Sequence, residues 1–407
     1  MSARAVVLDG LVDPDALAWL LTDDGQRLLA RASELTGLEP LRAQTILRKE
    51  WQAPYVAAAT TQVELRAKAV AKFGEAAERM YFTPDGLEQA TRAAVADHRA
   101  ARLSAFGAAT LVDLGCGIGG DLIAAARAGL TSAGVDLDPV RVAVARANLA
   151  ALGLPGAVSV ADATRVDHSP FDVAFADPAR RGARGRTFDP EGWTPPWSWV
   201  STLFTRDACV KVAPGIPHGL IPPGVEGEWV SDRGEVKEAA LWAGRLATVR
   251  RRATVIAPPH WQGGGLATLT DEDAPPPGTG AGEVRKVGEF LYEPDGAVIR
   301  AGLVTAVAAG VRGGLLDEHL AYVTSEESFR TPFATGYRVL EELPYRERPL
   351  RAALRERGVG RLTIKKRGVA VVPEQLRHRL ALRGPNEATI VMTRVAGEGT
   401  CLLVTRF

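Results

Sequence analysis

Acidic residues recur at the ends of short apolar runs in this chain, and glycines crowd the first of those ends. Leu111-Val112-Asp113-Leu114 runs into Gly115-Cys116-Gly117-Ile118-Gly119-Gly120, and a helical run follows. Glycines at such a turn permit positive φ and let a ligand approach the main chain closely. Asp136 closes the next run, in Gly134-Val135-Asp136-Leu137-Asp138-Pro139. Asp162 follows the third, and Asp177-Pro178-Ala179-Arg180-Arg181 follows the fourth. Carboxylates accept hydrogen bonds from hydroxyls and amines, so the set suits a polar ligand rich in donors. Structural uses stand beside that one: Asp136 as a helix N-cap, Asp162 as a turn residue, and Asp177-Pro178 as a plain turn. Arg180, Arg181, Arg184 and Arg186 crowd one loop, which suits a phosphate-bearing substrate. Cys209 lies in an apolar run and reads as core, so a cysteine nucleophile is not expected. No HxxxH, HExxH or clustered Cys/His set occurs, and no metal site is expected.

Alternating strands and helices must hold these acids. Strands are expected at 110–114, 132–136, 158–160, 171–176, 208–212 and 254–256, with helices at 121–127 and 140–152. Such alternation implies a mostly parallel sheet whose ligands bind at the carboxyl ends of its strands. Residues 1–104 read as all-α, with a packing or lidding role. Asp13-Pro14 and Thr83-Pro84 start helices there, and capping-box spacing at Thr61 to Glu64 opens a segment through Met80. Residues 105–325 form the central domain, with 258–283 as a Pro/Gly-rich loop, and 326–407 form a small α+β module. In that module 362–364 and 369–372 flank Lys365-Lys366-Arg367-Gly368 as a basic hairpin tip, and 389–393 and 401–405 are further strands.

At 407 residues the chain is long enough for two or three domains. Its net charge of +1 says nothing about nucleic acid, but the distribution does. Residues 331–407 carry thirteen arginines and two lysines against seven glutamates and no aspartate, a balance of +8 that favours an anionic partner. The three cysteines form no CxxC pair, which argues against a disulfide framework and fits a cytoplasmic location. The N-terminus does not read as a signal peptide, and no apolar run approaches the ~18–20 residues of a membrane helix.

Gly115, Gly117 and Gly120 also satisfy the dinucleotide fingerprint GxGxxG. Asp113 weighs against a dehydrogenase, because those enzymes usually carry an apolar residue there, and the acids after strands three and four add to the objection. The order Asp113 to Gly120, an acid ending strand two, Asp162-Ala163, then Asp177-Pro178, resembles the class I S-adenosylmethionine-dependent methyltransferases. That resemblance implies an α/β Rossmann-like sheet flanked by the all-α region and the small α+β domain, with S-adenosylmethionine as cofactor. It implies that Asp113 with Gly115, Gly117 and Gly119 holds the methionine end, Asp136 both ribose hydroxyls, and Asp162 the adenine amino group.

Asp177-Pro178-Ala179-Arg180 resembles the Asp/Asn-Pro-Pro-aromatic tetrad of amino-group methyltransferases, whose acid and following carbonyl accept the amine hydrogens. This implies Asp177, Pro178 and Arg180 as catalytic residues and a nitrogen target. Ala179 and Arg180 depart from the tetrad, replacing a proline and the base-stacking aromatic. Trp193, Trp197 and Trp199 offer aromatic surface or core, and Lys211 and residues 234–238 are candidates to line the pocket.

Tyr81-Phe82-Thr83 with Leu87 to Ala90, Tyr292-Glu293-Pro294, and Leu362 to Gly368 resemble a narrower group carrying a C-terminal THUMP-like domain. THUMP domains bind RNA, so the resemblance implies RNA base methylation, with Arg181, Arg184, Lys365, Lys366 and Arg367 as RNA contacts. Two other readings stay open: a methyltransferase for a small molecule or protein, and a catalytically silent RNA-binding protein retaining the fold.

Overall fold

The computed structural model describes residues 13–179, 181–182, 185–186, 189–257, 265–276 and 278–407. Two compact units result, Met1–Val212 with Leu241–Leu246, and Ala213–Ala240 with Ala247–Phe407. No helix among the described residues is long and apolar enough to cross a membrane.

Helices open the first unit: α1 (Pro14–Leu20), α2 (Asp23–Glu34), α3 (Pro40–Leu47), α4 (Ala53–Phe73), α5 (Pro84–Gln89) and α6 (Ala93–Phe106). Two start signals act as expected. The Asp13 carboxylate accepts from Asp15 N, and the Thr83 hydroxyl from Gly86 N. The start expected at Thr61 does not occur, because α4 already begins at Ala53 and runs through it. Gln62 is spent on a distant partner: Nε2 donates to Phe82 O at 2.6 Å and Phe82 N donates to Oε1 at 2.9 Å. The run after Thr83 breaks into two helices. Lys72 Nζ donates to the carbonyls of Leu87, Glu88 and Ala90 and ends α5 there.

Strands and helices then alternate as β1 (Thr110–Leu114), α7 (Gly120–Arg127), β2 (Thr131–Asp136), α8 (Pro139–Leu152), β3 (Ala157–Val160) and β4 (Val173–Ala176). The two-residue strands β5 (Arg181–Gly182) and β6 (Gly185–Arg186), helix α9 (Trp197–Val200) and β7 (Ala208–Val212) complete the set. Five strands pair in parallel in the order β3-β2-β1-β4-β7. Strand order reverses between β1 and β4, which is where open α/β sheets bind ligands. Leu114 pairs with Ala176, so the residues that follow both strands emerge side by side. Both strands are almost wholly buried, as a parallel strand covered on two faces requires.

One fully buried amide locks this end of the sheet. Asn148 Oδ1 on α8 accepts from Tyr81 N at 2.6 Å, and its Nδ2 donates to Tyr81 O at 3.1 Å and Ile118 O at 2.9 Å. The segment before α5 and the glycine turn are thereby held to one helix.

In the second unit, β8 (Glu226–Asp232) turns through Arg233 and Gly234, both at positive φ, into β9 (Glu235–Ala243), whose last residues belong to the first unit. Next come β10 (Arg251–Ala257) and β11 (Gly265–Thr270). Part of the loop expected at 258–283 is therefore strand, since β11 pairs antiparallel with β10 from Arg252↔Thr270 to Ala257↔Gly265. The remaining elements are β12 (Phe290–Pro294), α10 (Gly296–Ala301), α11 (Val304–Gly310), β13 (Gly314–Asp317), β14 (Leu320–Ser325), β15 (Ala334–Leu343), α12 (Glu347–Glu356), β16 (Val359–Lys366), α13 (Pro373–Leu380), β17 (Asn386–Val395) and β18 (Glu398–Arg406). Seven strands form one sheet, ordered β13-β14-β12-β15-β18-β17-β16. It crosses the boundary expected at 325/326, because β12 pairs with both β14 and β15. The expected basic hairpin at 365–368 is absent: β16 and β17 are parallel, and α13 supplies the crossover that parallel neighbours need.

Asn148→Ala leaves Tyr81 N and two carbonyls without their partner inside a dry core. It should lower the unfolding free energy by about 2–4 kcal/mol. Denaturant midpoints at constant m-value measure this, and a loss below about 0.5 kcal/mol would reject the clamp.

Candidate active site

The glycine turn divides its tasks. Gly115, Gly117 and Gly119 have φ of 125°, 53° and 85°, a region that side chains disfavour. A Cβ on Gly119 would sit 3.2 Å from Ala145 Cβ on α8, so this glycine serves packing. A Cβ on Gly117 would meet nothing within 4 Å, and one on Gly115 would lie 3.8 Å from the Asp177 carbonyl oxygen. Gly117 thus leaves bare backbone facing open space, and Gly115 leaves bare backbone beside Asp177.

Asp136 braces the turn from β2. Its Oδ2 accepts from Gly117 N at 3.0 Å and its Oδ1 from Asp138 N at 2.9 Å. Asp138, and not Asp136, caps α8, accepting from Val140 N at 2.8 Å. Leu137, directly after Asp136, is 61 % exposed, an apolar side chain left bare at the strand end. Asp162 accepts from the Thr164 hydroxyl at 2.7 Å and amide at 2.9 Å. Those two bonds, hydroxyl first, hold its carboxyl below the usual range.

Asp113 is only 1 % exposed, and its Oδ1 has no hydrogen-bond partner among the described residues. Burial pushes its carboxyl well above the ordinary value; Asp121, Asp177 and Asp136 push the same way and Arg99 opposes them. The neighbouring carboxylates are tied to cations in a chain. Lys211 Nζ, from β7, donates to Asp177 Oδ2 at 2.5 Å and to Thr91 Oγ1 at 3.1 Å. Thr91 Oγ1 donates to Asp121 Oδ2 at 3.0 Å, and Arg99 Nη1 donates to Asp121 Oδ1 at 2.9 Å. Arg99 also lies over the Phe175 ring, 4.6 Å from its centre. The helical region therefore does more than pack, since Thr91 and Arg99 hold the site's charges. Asp121 had a signal, directly behind Gly120, whereas Thr91 and Arg99 had none.

Asp177 follows β4 and Pro178 behind it is buried. Ala179 is pinned by two main-chain bonds with Thr194, at 2.8 and 2.9 Å. Arg180 and Arg184 lie outside the described residues, and Arg181 starts the β5–β6 pair. Trp193 is buried and meets Trp197 edge-on at 5.7 Å, which in turn meets Phe204 at 5.8 Å, so these rings form a small core. Cys116 and Cys209 are buried, and burial pushes the Cys116 thiol up. No group of three or more His, Cys, Asp and Glu suited to a metal occurs among the described residues. In the second unit, Lys365 Nζ ion-pairs with Glu293 Oε2 at 2.5 Å and lies over the Tyr337 ring. Arg367 reaches 4.0 Å from the same carboxylate and lies over Tyr322, which leaves Lys366 as the exposed member of the trio.

A parallel sheet reversing at β1/β4, with a glycine turn and acids at its carboxyl ends, is the architecture of a class I methyltransferase. Family models agree, with a methyltransferase domain matching residues 111–179, a THUMP domain-like module 334–406, and a domain of unknown function 13–69. Two proteins of Mycobacterium tuberculosis, from strains CDC 1551 and H37Rv, are each named as an uncharacterised S-adenosylmethionine-dependent methyltransferase. Each is 38% identical to this chain over 356 residues, 84% of this chain and 94% of its own length. The chain belongs to this family of S-adenosylmethionine-dependent methyltransferases and carries a C-terminal THUMP-like domain. A solved structure from Porphyromonas gingivalis W83, presumed to be a methyltransferase, shares the fold with a TM-score of 0.73 at 21% identity, covering 94% of this chain and 98% of that one.

S-adenosylmethionine is the cofactor, and the site fits it: Asp113 Oδ1 has no donor among the described residues, and Gly117 leaves its backbone bare. With its folded pKa raised, Asp113 holds its proton more tightly in the folded chain than in the unfolded one. Stability of the free protein should therefore fall as pH climbs from the usual carboxylate range toward that raised value. If Asp113 receives the cofactor's ammonium, as the resemblance implies, the ionised carboxylate is favoured, so binding should expel a proton and tighten with rising pH across the same window. Calorimetry in two buffers of different ionisation enthalpy reads that proton, and Asp113→Asn should abolish it. Equal enthalpies in both buffers would contradict the assignment.

Proposed function

We propose that this methyltransferase acts on RNA, adding a methyl group to a nitrogen of a base. The observation that carries the reading is the position of Asp177. Its carbonyl adjoins Gly115 of the cofactor turn, and its carboxylate is fixed by Lys211. When bound, S-adenosylmethionine supplies an electrophilic methyl group on a sulfonium that leaves as a neutral thioether. The chain's own residues prepare the nucleophile. Asp177 and the carbonyl of Pro178 accept the two hydrogens of an amine, turning its lone pair toward the methyl and raising electron density on the nitrogen, whose surplus proton after transfer passes to solvent. Lys211, anchored on Thr91, holds the Asp177 carboxylate in that orientation. Asp113 with Gly115 and Gly117 holds the methionine end, Asp136 the ribose hydroxyls and Asp162 the adenine amine.

Three of these groups also bond within the chain: Asp136 with Gly117 N, Asp162 with Thr164, and Asp177 with Lys211. A carboxylate oxygen has lone pairs for more than one donor, so these bonds orient the acceptors without using them up. Arg180, Arg181 and Arg184, in the loop after Asp177, meet the phosphates of the substrate. The basic C-terminal module, with its balance of +8 over residues 331–407, adds affinity for the same polyanion.

Mass spectrometry of nucleosides in RNA from cells with and without the gene identifies the product. A methylated nucleoside that is lost with the gene and restored by the wild-type chain is expected; an unchanged nucleoside profile would refute RNA as substrate. On that RNA, Asp177→Ala should lower kcat by about 10²- to 10³-fold while S-adenosylmethionine affinity changes little. Lys211→Met should lower kcat by about 10- to 100-fold, since it frees the orientation of Asp177 and leaves the cofactor turn alone. Undiminished turnover in Asp177→Ala would remove this residue from the mechanism.

A further inference from the structure

The cations expected to grip RNA at 365–367 are largely turned onto Glu293, so the positive balance of the tail is displayed elsewhere. On α12, Leu350 and Leu354 are buried one turn apart, which puts Arg348 and Arg355 on the opposite, exposed side. Many neighbouring arginines are locally matched. Glu347 takes both Arg351 and Arg379, Glu341 takes Arg357, Glu387 takes Arg361 and Glu374 takes Arg377. Arg355 and Arg383 are exposed and have no ion pair among the described residues. Both line a cavity of about 360 Å³ together with Val359, Ala381 and Gly384, and no acidic residue among the described residues lines it.

Main-chain geometry sets the shape of this cavity. Ala381 ends α13 in the left-handed region, at φ 44° and ψ 53°, an uncommon conformation for a residue with a Cβ. Arg355 Nη2 reaches to 3.4 Å from the Ala381 carbonyl, which draws the last turn of α12 toward the end of α13. Behind them, Gly360 and Gly384 pack against backbone with no space for a side chain. A Cβ on Gly360 would lie 1.8 Å from Gly384 O, and one on Gly384 would lie 1.8 Å from Gly358 O. The backbone that carries the two arginines is thus fixed, and both side chains are exposed at the cavity rim.

We propose that this cavity is a phosphate site, in which Arg355 and Arg383 grip a phosphodiester group of the RNA substrate. The inference rests on the RNA reading above. Each guanidinium presents a planar fork that matches two phosphate oxygens, and two forks on one acid-free rim select a compact, doubly bonded anion. The site lies wholly within the second unit and takes no part in cofactor binding.

The test uses the full-length chain and fluorescein-labelled RNA extracted from cells lacking the gene, read by anisotropy across a salt series. Replacing both residues, Arg355→Ala with Arg383→Ala, should weaken binding about tenfold at low salt. It should also reduce the salt slope by about two, one for each lost phosphate contact. The S-adenosylmethionine affinity should stay unchanged, and far-UV circular dichroism should show the variant folded. Arg355→Lys with Arg383→Lys should recover only part of the affinity, because charge returns without the fork. If the wild-type chain binds RNA and the double alanine variant matches it in affinity and slope, the cavity is not a phosphate site and the RNA reading survives. If the wild-type chain binds no RNA, that reading falls and this one with it. Poly-glutamate competing as well as unlabelled RNA would overturn the phosphate assignment.

Discussion

Negative charge is concentrated at the carboxyl ends of β1, β2 and β4, and the first unit is arranged to tolerate it. Asp113 is buried with Asp121, Asp136 and Asp177 all acting on it through space. Leaving carboxylates together in a dry interior costs several kcal/mol each unless cations or donors offset them. Two cations do so, and both arrive from elements outside β1, β2 and β4. Arg99 requires α6 to lie close against α7, and that approach is made through small residues, Ala96 and Ala100 facing Ala124. Lys211 requires β7 to follow β4 in the sheet. Packing of alanines and strand order are therefore also electrostatic requirements of the site.

The same constraint explains why Asp113 was visible as a candidate while its surroundings were not. Glycine spacing, an acid after each strand and the Asp-Pro and Thr-Pro helix starts are local patterns, set by backbone sterics and capping, and they read directly from the chain. Thr91, just before α6, and Arg99 within it have nothing in the sequence to mark them, because their function exists only once α6 has docked on α7. Asn148 and Gln62 are alike in this. Each looks like a polar residue on an amphipathic helix, and each is a buried clamp whose partners are far along the chain.

Strands β8 and β9 were hidden for a related reason. Glu226 and Glu228 sit fully buried within β8, contradicting the apolar alternation that marks a strand. Glu226 is satisfied by the Thr248 and Val249 amides and by Arg252, and Glu228 by the Thr254 hydroxyl, all from residues beyond β9. In β9, Ala239-Ala240-Leu241-Trp242-Ala243 carries helix-forming alanines into a buried strand, so burial overrides propensity. The run Lys365 to Gly368 misled in the opposite sense. Basic residues beside glycine resemble a hairpin tip, but a long-range carboxylate, Glu293, claims two of them. Net charge counts an excess of arginine without showing which ones a distant glutamate will claim.

Strand register gives the transfer apparatus its precision. Leu114 and Ala176 are paired neighbours, so the bare backbone of Gly115 and the acceptor groups of Asp177 are fixed by main-chain hydrogen bonds and not by loop conformation. A shift of one residue in that pairing would turn every side chain of the strand to its other face and part the two groups. The segment that departs from the amino-methyltransferase tetrad begins only after that fixed point. Ala179 is pinned to Thr194 by its main chain, which makes few demands on its side chain, and so the position tolerates alanine where the tetrad has proline. The relative position of Gly115 and Asp177 thus depends on strand pairing, and the departures from the tetrad begin beyond it.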